Sequence, residues 1–187
     1  VAVRTLAEIA EDRTDLGPEA IAHLESLQRD LGLLADLAFS DLILWLPVWN
    51  QGGFVAAAQV RPSTAATRYP NDLVGTFTPR GRRPELDRAS SAPGLGRVAP
   101  RTDPLLPAGG EAIGIGRSGN GPWIAALTRS AVPAPRASGT LERAYLRAAD
   151  DLFAMIRVGE FPYPEVSDST GAEPRVGDGL IRLDTSG

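Results

Sequence analysis

The stretch "DLILWLPVWNQGGFVAAAQV", residues 41–60, constrains this chain most. Two apolar runs flank Asn50-Gln51-Gly52-Gly53, a turn sequence, so the stretch predicts a β-hairpin. The first run is apolar at successive positions, where a half-exposed strand would alternate. Such a strand is covered on both faces, which places the hairpin at the centre of an antiparallel sheet between two layers. "EAIGIGR" (111–117) and "GPWIAALTR" (121–129) predict a second hairpin beside it.

Helical patterns flank these strands. A short one covers residues 3–12, with Leu6 and Ile9 on one side. Pro18 suits the first turn of a longer helix reaching about Ala38. In it Leu24, Leu27, Leu31, Leu34 and Ala38 recur in steps of three and four, a heptad-type seam. Ser138 or Thr140 is expected to cap a last helix, which runs to about Val158. That helix carries two seams. Leu141, Tyr145, Ala148, Leu152 and Met155 make one; Leu146, Ala149, Phe153 and Ile156 make the other. Together they exceed the roughly 100° stripe that one sheet covers. A helix with two seams has two partners: the sheet, and a helix of the same chain or of a second copy.

Residues 61–110 differ in character. One short strand is expected near Leu73-Val74, and residues 78–110, crowded with Pro, Gly and Arg, read as a functional loop, a lid or a mobile segment. The sequence after Val158, "GEFPYPEVSDSTGAEPR", has a linker's composition. In "RVGDGLIRLDTSG" the residues Leu180, Ile181 and Leu183 read as a strand followed by a turn.

Composition narrows the chemistry. With 43% hydrophobic residues in 187, the chain can bury a core. It has no cysteine, which excludes disulfides, thiolate metal sites and cysteine nucleophiles. Net charge is −4, and Arg80, Arg82 and Arg83 form the one basic cluster, so nucleic acid is not an expected partner. No apolar run reaches membrane-spanning length and no signal-peptide pattern opens the sequence; the chain reads as soluble and cytosolic. "GIGRSG" (114–119) matches G-x-G-x-x-G in form, but strand-like residues follow it where a nucleotide fingerprint opens a helix, so it reads as a hairpin turn. His23, the one histidine, sits at the edge of the helical seam without metal-ligand neighbours, and Asp150 and Asp151 diverge around their helix. No catalytic residue, metal site or cofactor motif is identified. Arg61 and Arg129, each at a strand end, are the candidate binding residues. With Trp45, Gln59 and the 61–110 loop, they are expected to line a pocket for a small anionic or aromatic ligand.

The pieces "LLADLAFSDLILWLP", "RPSTAAT", "DLVG", "LTR", "SGTLERAYLRAADDLFAMIRVGEFP" and "RVGDGLIRLDTSG" occur in this order between residues 33 and 187. Together they resemble the N-terminal sensor region of actinobacterial PdtaS-type sensor histidine kinases, in which a GAF domain precedes a PAS domain. The resemblance implies an α+β fold: a GAF-like antiparallel sheet, with N- and C-terminal helices on one face and a loop-covered pocket on the other. It implies a GAF domain over residues 1–162, a linker over 163–175, and the start of a PAS domain over 176–187. Also implied are parallel homodimers through the helices at 24–38 and 141–156, kinase domains further along the parent chain, and a response regulator with an ANTAR-type RNA-binding output. The fragment itself is then no enzyme but a signal-input and dimerisation module, sensing a small ligand or serving as a ligand-free structural dimerisation domain. A GAF enzyme of the methionine-sulfoxide-reductase kind would need the cysteines that are missing.

Overall fold

Successive residues of the first predicted strand fall on opposite faces of a sheet, and both faces are covered. In the computed structural model, which describes residues 4–91, 110–116, 122–132 and 138–162, this strand is β1 (Asp41–Pro47). It pairs antiparallel with β2 (Gly53–Val60) on one side and with β5 (Trp123–Ser130) on the other. β3 (Phe77–Pro79) adds to β2, and β4 (Gly110–Gly116) adds to β5. The order is β3-β2-β1-β5-β4, and every neighbour is antiparallel.

Leu42, Leu44 and Leu46 of β1 point into a core closed by α1 (Leu6–Arg13), α2 (Pro18–Ala38) and α4 (Thr140–Val158). Ile43 and Trp45 point the other way, into a smaller core under α3 (Pro84–Ser91). This is the α+β arrangement expected. A β-bulge perturbs it. Leu44 faces Ala58 while Trp45 faces Ala56, so Ala57 is the extra residue, and Ala57 and Ala58 both join the helix-side core.

The seam of α2 is spent inside the chain. Leu24, Leu27, Leu31 and Leu34 are fully buried, and each burial stabilises the fold by about 1.5–3 kcal/mol. α2 starts with Pro18 at its first turn and stops at Phe39, whose left-handed φ of 49° turns the chain into β1. α1 is closed by reciprocal bonds: Glu8 N–H donates to Thr5 Oγ1, and Thr5 N–H to Glu8 Oε2 at 2.7 Å. The N-cap of α4 is Gly139, in place of the expected Ser138 or Thr140. The Glu142 carboxylate reaches back to the Gly139 N–H at 2.6 Å, so the cap needs no side chain at Gly139. Of the two α4 seams, Ala149, Phe153 and Ile156 are buried, whereas Leu141 is 64% exposed.

Two expectations between residues 61 and 91 are corrected. Leu73-Val74 is not a strand: the Leu73 N–H donates to Gln59 Oε1 and the Val74 N–H to Asp72 Oδ1, both side chains. The strand in this region is β3, at Phe77–Pro79. Residues 84–91 are not irregular but form α3, with Leu86 and Ala89 buried against the sheet. Two inward positions in eight residues leave too little periodicity to read. Residues 92–109, the 163–175 linker and the 176–187 segment lie outside the described residues.

Candidate functional site

The face of the sheet away from α1, α2 and α4 carries the aromatic residues. Trp45, fully enclosed on β1, donates its indole N–H to Thr128 Oγ1 on β5 at 3.0 Å. Phe54 and Trp123 meet edge to face, with ring centroids 6.1 Å apart. α3 covers this layer closely. At Gly114 a Cβ would come within 2.5 Å of the Ala89 carbonyl oxygen of α3 and 3.1 Å of the Trp123 ring, so the residue must be glycine. Gly114 therefore serves strand-to-helix packing. The formal G-x-G-x-x-G run starts in β4, and the next described element is the antiparallel strand β5 rather than a helix.

Charges enter at the start of α3. Arg83 places its guanidinium 4.9 Å from the centre of the Trp45 ring. It donates to the Tyr69 hydroxyl at 3.2 Å and pairs with Glu85 at 3.3 Å. The Tyr69 hydroxyl in turn lies 3.4 Å from Ser130 Oγ. Arg80 lies over Phe54 and donates to the Gln51 carbonyl oxygen, tying the start of α3 to the β1–β2 turn. Arg83 Nη1, Glu85 Oε2, Arg88 Nε and Trp123 Nε1 are buried without a hydrogen-bond partner. Each such atom costs about 1–3 kcal/mol where nothing satisfies it.

Residues 61–76 strap this layer to the helix side. The Asp36 carboxylate, buried in the last turn of α2, accepts from Ser63 N–H at 2.6 Å and Ser63 Oγ at 2.8 Å. Asp41, buried at the start of β1, accepts from Thr67 Oγ1 and Arg68 N–H at 2.5 Å each. Gln59 holds the strap from the sheet edge, accepting from Leu73 N–H and donating to the carbonyls of Tyr69 and Asn71. Arg61 donates to the carbonyl oxygens of Tyr69 and Pro70.

The four residues expected to line one pocket are therefore divided. Trp45 is in the aromatic layer. Gln59 and Arg61 spend their polar atoms on the backbone of the strap that carries Tyr69 into that layer. Arg129 is on the opposite face, bound to Glu111 at 2.7 Å and to Asp150 of α4 at 3.0 Å, and stacked 5.0 Å over Phe153. Strand alternation puts Thr128 and Arg129 on different faces, and Thr128 has the Trp45 side. Tyr69, Arg83, Glu85 and Trp123 were not among the sequence candidates. Arg83-Pro84-Glu85, a proline followed by an acid, is a helix-start signal that marks two of these four, Arg83 and Glu85. Among the described residues there is no cluster suited to a metal ion and no helix long and apolar enough to cross a membrane.

Residues 6–149 match the family model described as "Histidine kinase PdtaS, GAF domain". The chain belongs to this family. It is 33% identical over 98% of its length to "Sensor histidine kinase PdtaS" of Mycolicibacterium smegmatis, and 34% identical over 98% to the protein of that name from Mycobacterium tuberculosis. The chain spans 37% of the length of each of these relatives. A solved structure, "Sensor region of a sensor histidine kinase", superimposes with a TM-score of 0.77 at 32% identity, over 98% of this chain and 62% of the other. The GAF architecture expected from the sequence and the sensor region of these kinases thus coincide in fold and in sequence.

Proposed function

We propose that this GAF domain is the signal-input and dimerisation module of a cytoplasmic two-component histidine kinase, and that the aromatic layer under α3 takes a small ligand. The observation that carries the reading is the set of unpartnered buried polar atoms Arg83 Nη1, Glu85 Oε2 and Trp123 Nε1, on residues that meet the Trp45 or Phe54 ring directly or through Arg83. Aromatic and apolar side chains with a few convergent polar groups are the usual lining of a ligand site. The strap supports a route for the signal: Tyr69 touches Arg83 at one end, and Asp36 anchors the other end in α2. Trp45, Gln59 and Arg61 then act as floor and strap holders, and Arg129 acts on the helix side.

In the parent chain, residues 163–175 would link this domain to a PAS domain starting at about 176, with kinase domains beyond. Phosphotransfer would go to a response regulator with an ANTAR-type output, and this segment itself would not catalyse it. The half-open α4 seam supports pairing of two copies. A ligand-free structural dimerisation domain is the second reading, favoured by the close packing of Leu86 and Ala89 on the sheet.

An NMR titration with a panel of aromatic carboxylates separates the two. Ligand sensing requires shifts at the indole N–H signals of Trp45 and Trp123, strengthened by Glu85→Gln, which frees Arg83 for the ligand carboxylate. Silence of both indoles across the panel favours the structural reading.

A further inference from the structure

A concavity of about 800 Å³ lies on the helix side, between the start of α1, one stripe of α2 and the edge of β2. Its volume falls in the about 300–1,000 Å³ range of small-molecule sites. Leu6, Ala22, Ala57 and Ala58 line it with apolar surface. The bulge in β2 makes this possible, because it turns two consecutive alanines toward the helices instead of one.

The charged groups around it are of both signs: Arg4, Arg29 and Arg61 against Glu25 and Asp72. Glu25 of α2 is exposed at the cleft, and among the described residues its carboxylate makes no ion pair. Arg61 borders it from the end of β2, and its guanidinium donates to two carbonyl oxygens, with N–H groups to spare. Beyond Ala56 this edge of β2 has no paired strand among the described residues, and the strap meets it through the Gln59 side chain. β3 pairs with β2 only as far as Val55, and Ala56 exchanges bonds with Thr76 and Gly75. Among the described residues no strand continues alongside Ala57, Ala58 and Gln59. An uncovered strand edge offers backbone partners to an extended peptide.

We propose that this cleft binds a short zwitterionic peptide: its free ammonium at Glu25, its terminal carboxylate at Arg61, its backbone along the β2 edge, and small side chains on the alanine surface. The site is separate from the aromatic layer and needs no occupant there. Extended chain rises about 3.3 Å per residue, so a tri- or tetrapeptide extends about 10–13 Å.

Titrating the isotope-labelled chain with trialanine, and with trialanine blocked at both ends by acetyl and amide groups, tests this. Free trialanine should move the amide signals of Ala57, Ala58 and Gln59, and the blocked form should bind at least about tenfold more weakly. Glu25→Gln, an exposed change, should weaken free trialanine by a similar factor, while Ala58→Leu, which fills the cleft, should remove binding in a protein whose melting shows it folded. Equal binding of free and blocked peptides, shifts confined to the Trp45 and Trp123 indoles, or no shift up to about 10 mM peptide would each overturn the proposal.

Discussion

The guanidinium of Arg83 lies 4.9 Å from the centre of the Trp45 ring, and this pair joins α3 to the middle of the sheet. Among the described residues the same guanidinium is the one ion-pair partner of Glu85, at 3.3 Å, with 18% and 10% of the two side chains exposed. Replacing Arg83 by Met keeps the apolar contact with Trp45 but leaves a buried carboxylate unpaired. Arg83→Met should destabilise the fold by about 3 kcal/mol. The double variant Arg83→Met with Glu85→Gln should recover most of that loss. Denaturant unfolding of the wild type, both single variants and the double variant measures the coupling, and an additive cycle would rule the pair out as the joint between α3 and β1.

Asp41 tests the strap. Its two carboxylate oxygens accept from Thr67 Oγ1 and from Arg68 N–H. In Asp41→Ala the Arg68 N–H loses its acceptor, while the Thr67 hydroxyl keeps the Tyr69 carbonyl oxygen within reach. A loss of about 2 kcal/mol is expected, as for a buried donor left unsatisfied. Hydrogen exchange at Arg68 should accelerate well before that at Ser63, which Asp36 holds independently. Equal acceleration at both amides would mean that the strap opens as one unit.

These anchors also show what could be read from the sequence. The β1–β2 hairpin and α2 were legible because their apolar patterns are long: eight residues in β2 and twenty-one in α2. α3 was not, because Leu86 and Ala89 are too short a pattern to set a period. The candidate site was half legible. Trp45 stood out as an aromatic residue in a doubly covered strand. The side of the sheet that Arg129 takes depends on pairing register, which no single strand contains. Asp36 and Asp41, acids inside the apolar run "LLADLAFSDLIL", were the overlooked signal: carboxylates in such surroundings are there to accept hydrogen bonds.

Gly114 gives a steric prediction. Gly114→Ala puts a methyl group 2.5 Å from the Ala89 carbonyl oxygen, and that oxygen belongs to helix backbone, which cannot swing away as a side chain would. α3 must lift from the sheet, at about 1–3 kcal/mol. Trp123, 3.1 Å from the same methyl position, reports the shift through its fluorescence. An unchanged spectrum and melting temperature would show that α3 yields without cost.

Glu8 gives a pH dependence. Its carboxylate accepts the Thr5 backbone N–H, and chiefly this bond holds its pKa below the ordinary value of 4.5. A folded-state pKa below the unfolded one means that folding releases the proton more readily. The stabilisation of α1 is therefore complete above 4.5 and is lost as the pH falls through the depressed value. Carboxyl-carbon NMR should find Glu8 titrating below the other glutamates, and Thr5→Gly, which removes the hydroxyl but keeps the backbone N–H, should preserve most of the shift. A normal titration for Glu8 would mean that the Thr5–Glu8 cap is open in solution.

Leu141 tests the pairing of two copies. On α4, Ala149, Phe153 and Ile156 face the core of their own chain, and Tyr145 stacks on Phe39, the residue that ends α2. Leu141 shares the other seam and is 64% exposed at the first turn of the helix, with Leu152 and Met155 half-buried further along it. An exposed leucine at the head of a seam loses nothing inside its own chain when replaced. Leu141→Glu also sets a negative charge in the first turn, where the helix dipole favours it by about 0.3–1 kcal/mol. The variant should therefore melt no lower than the wild type as a folded unit. If two copies meet along this seam, the two glutamates confront each other in the interface and the dimer dissociates. Light scattering at matched concentrations reads the outcome directly: a dimeric wild type with a monomeric, fully folded Leu141→Glu variant is expected, and a variant that stays dimeric would move the contact off this seam of α4.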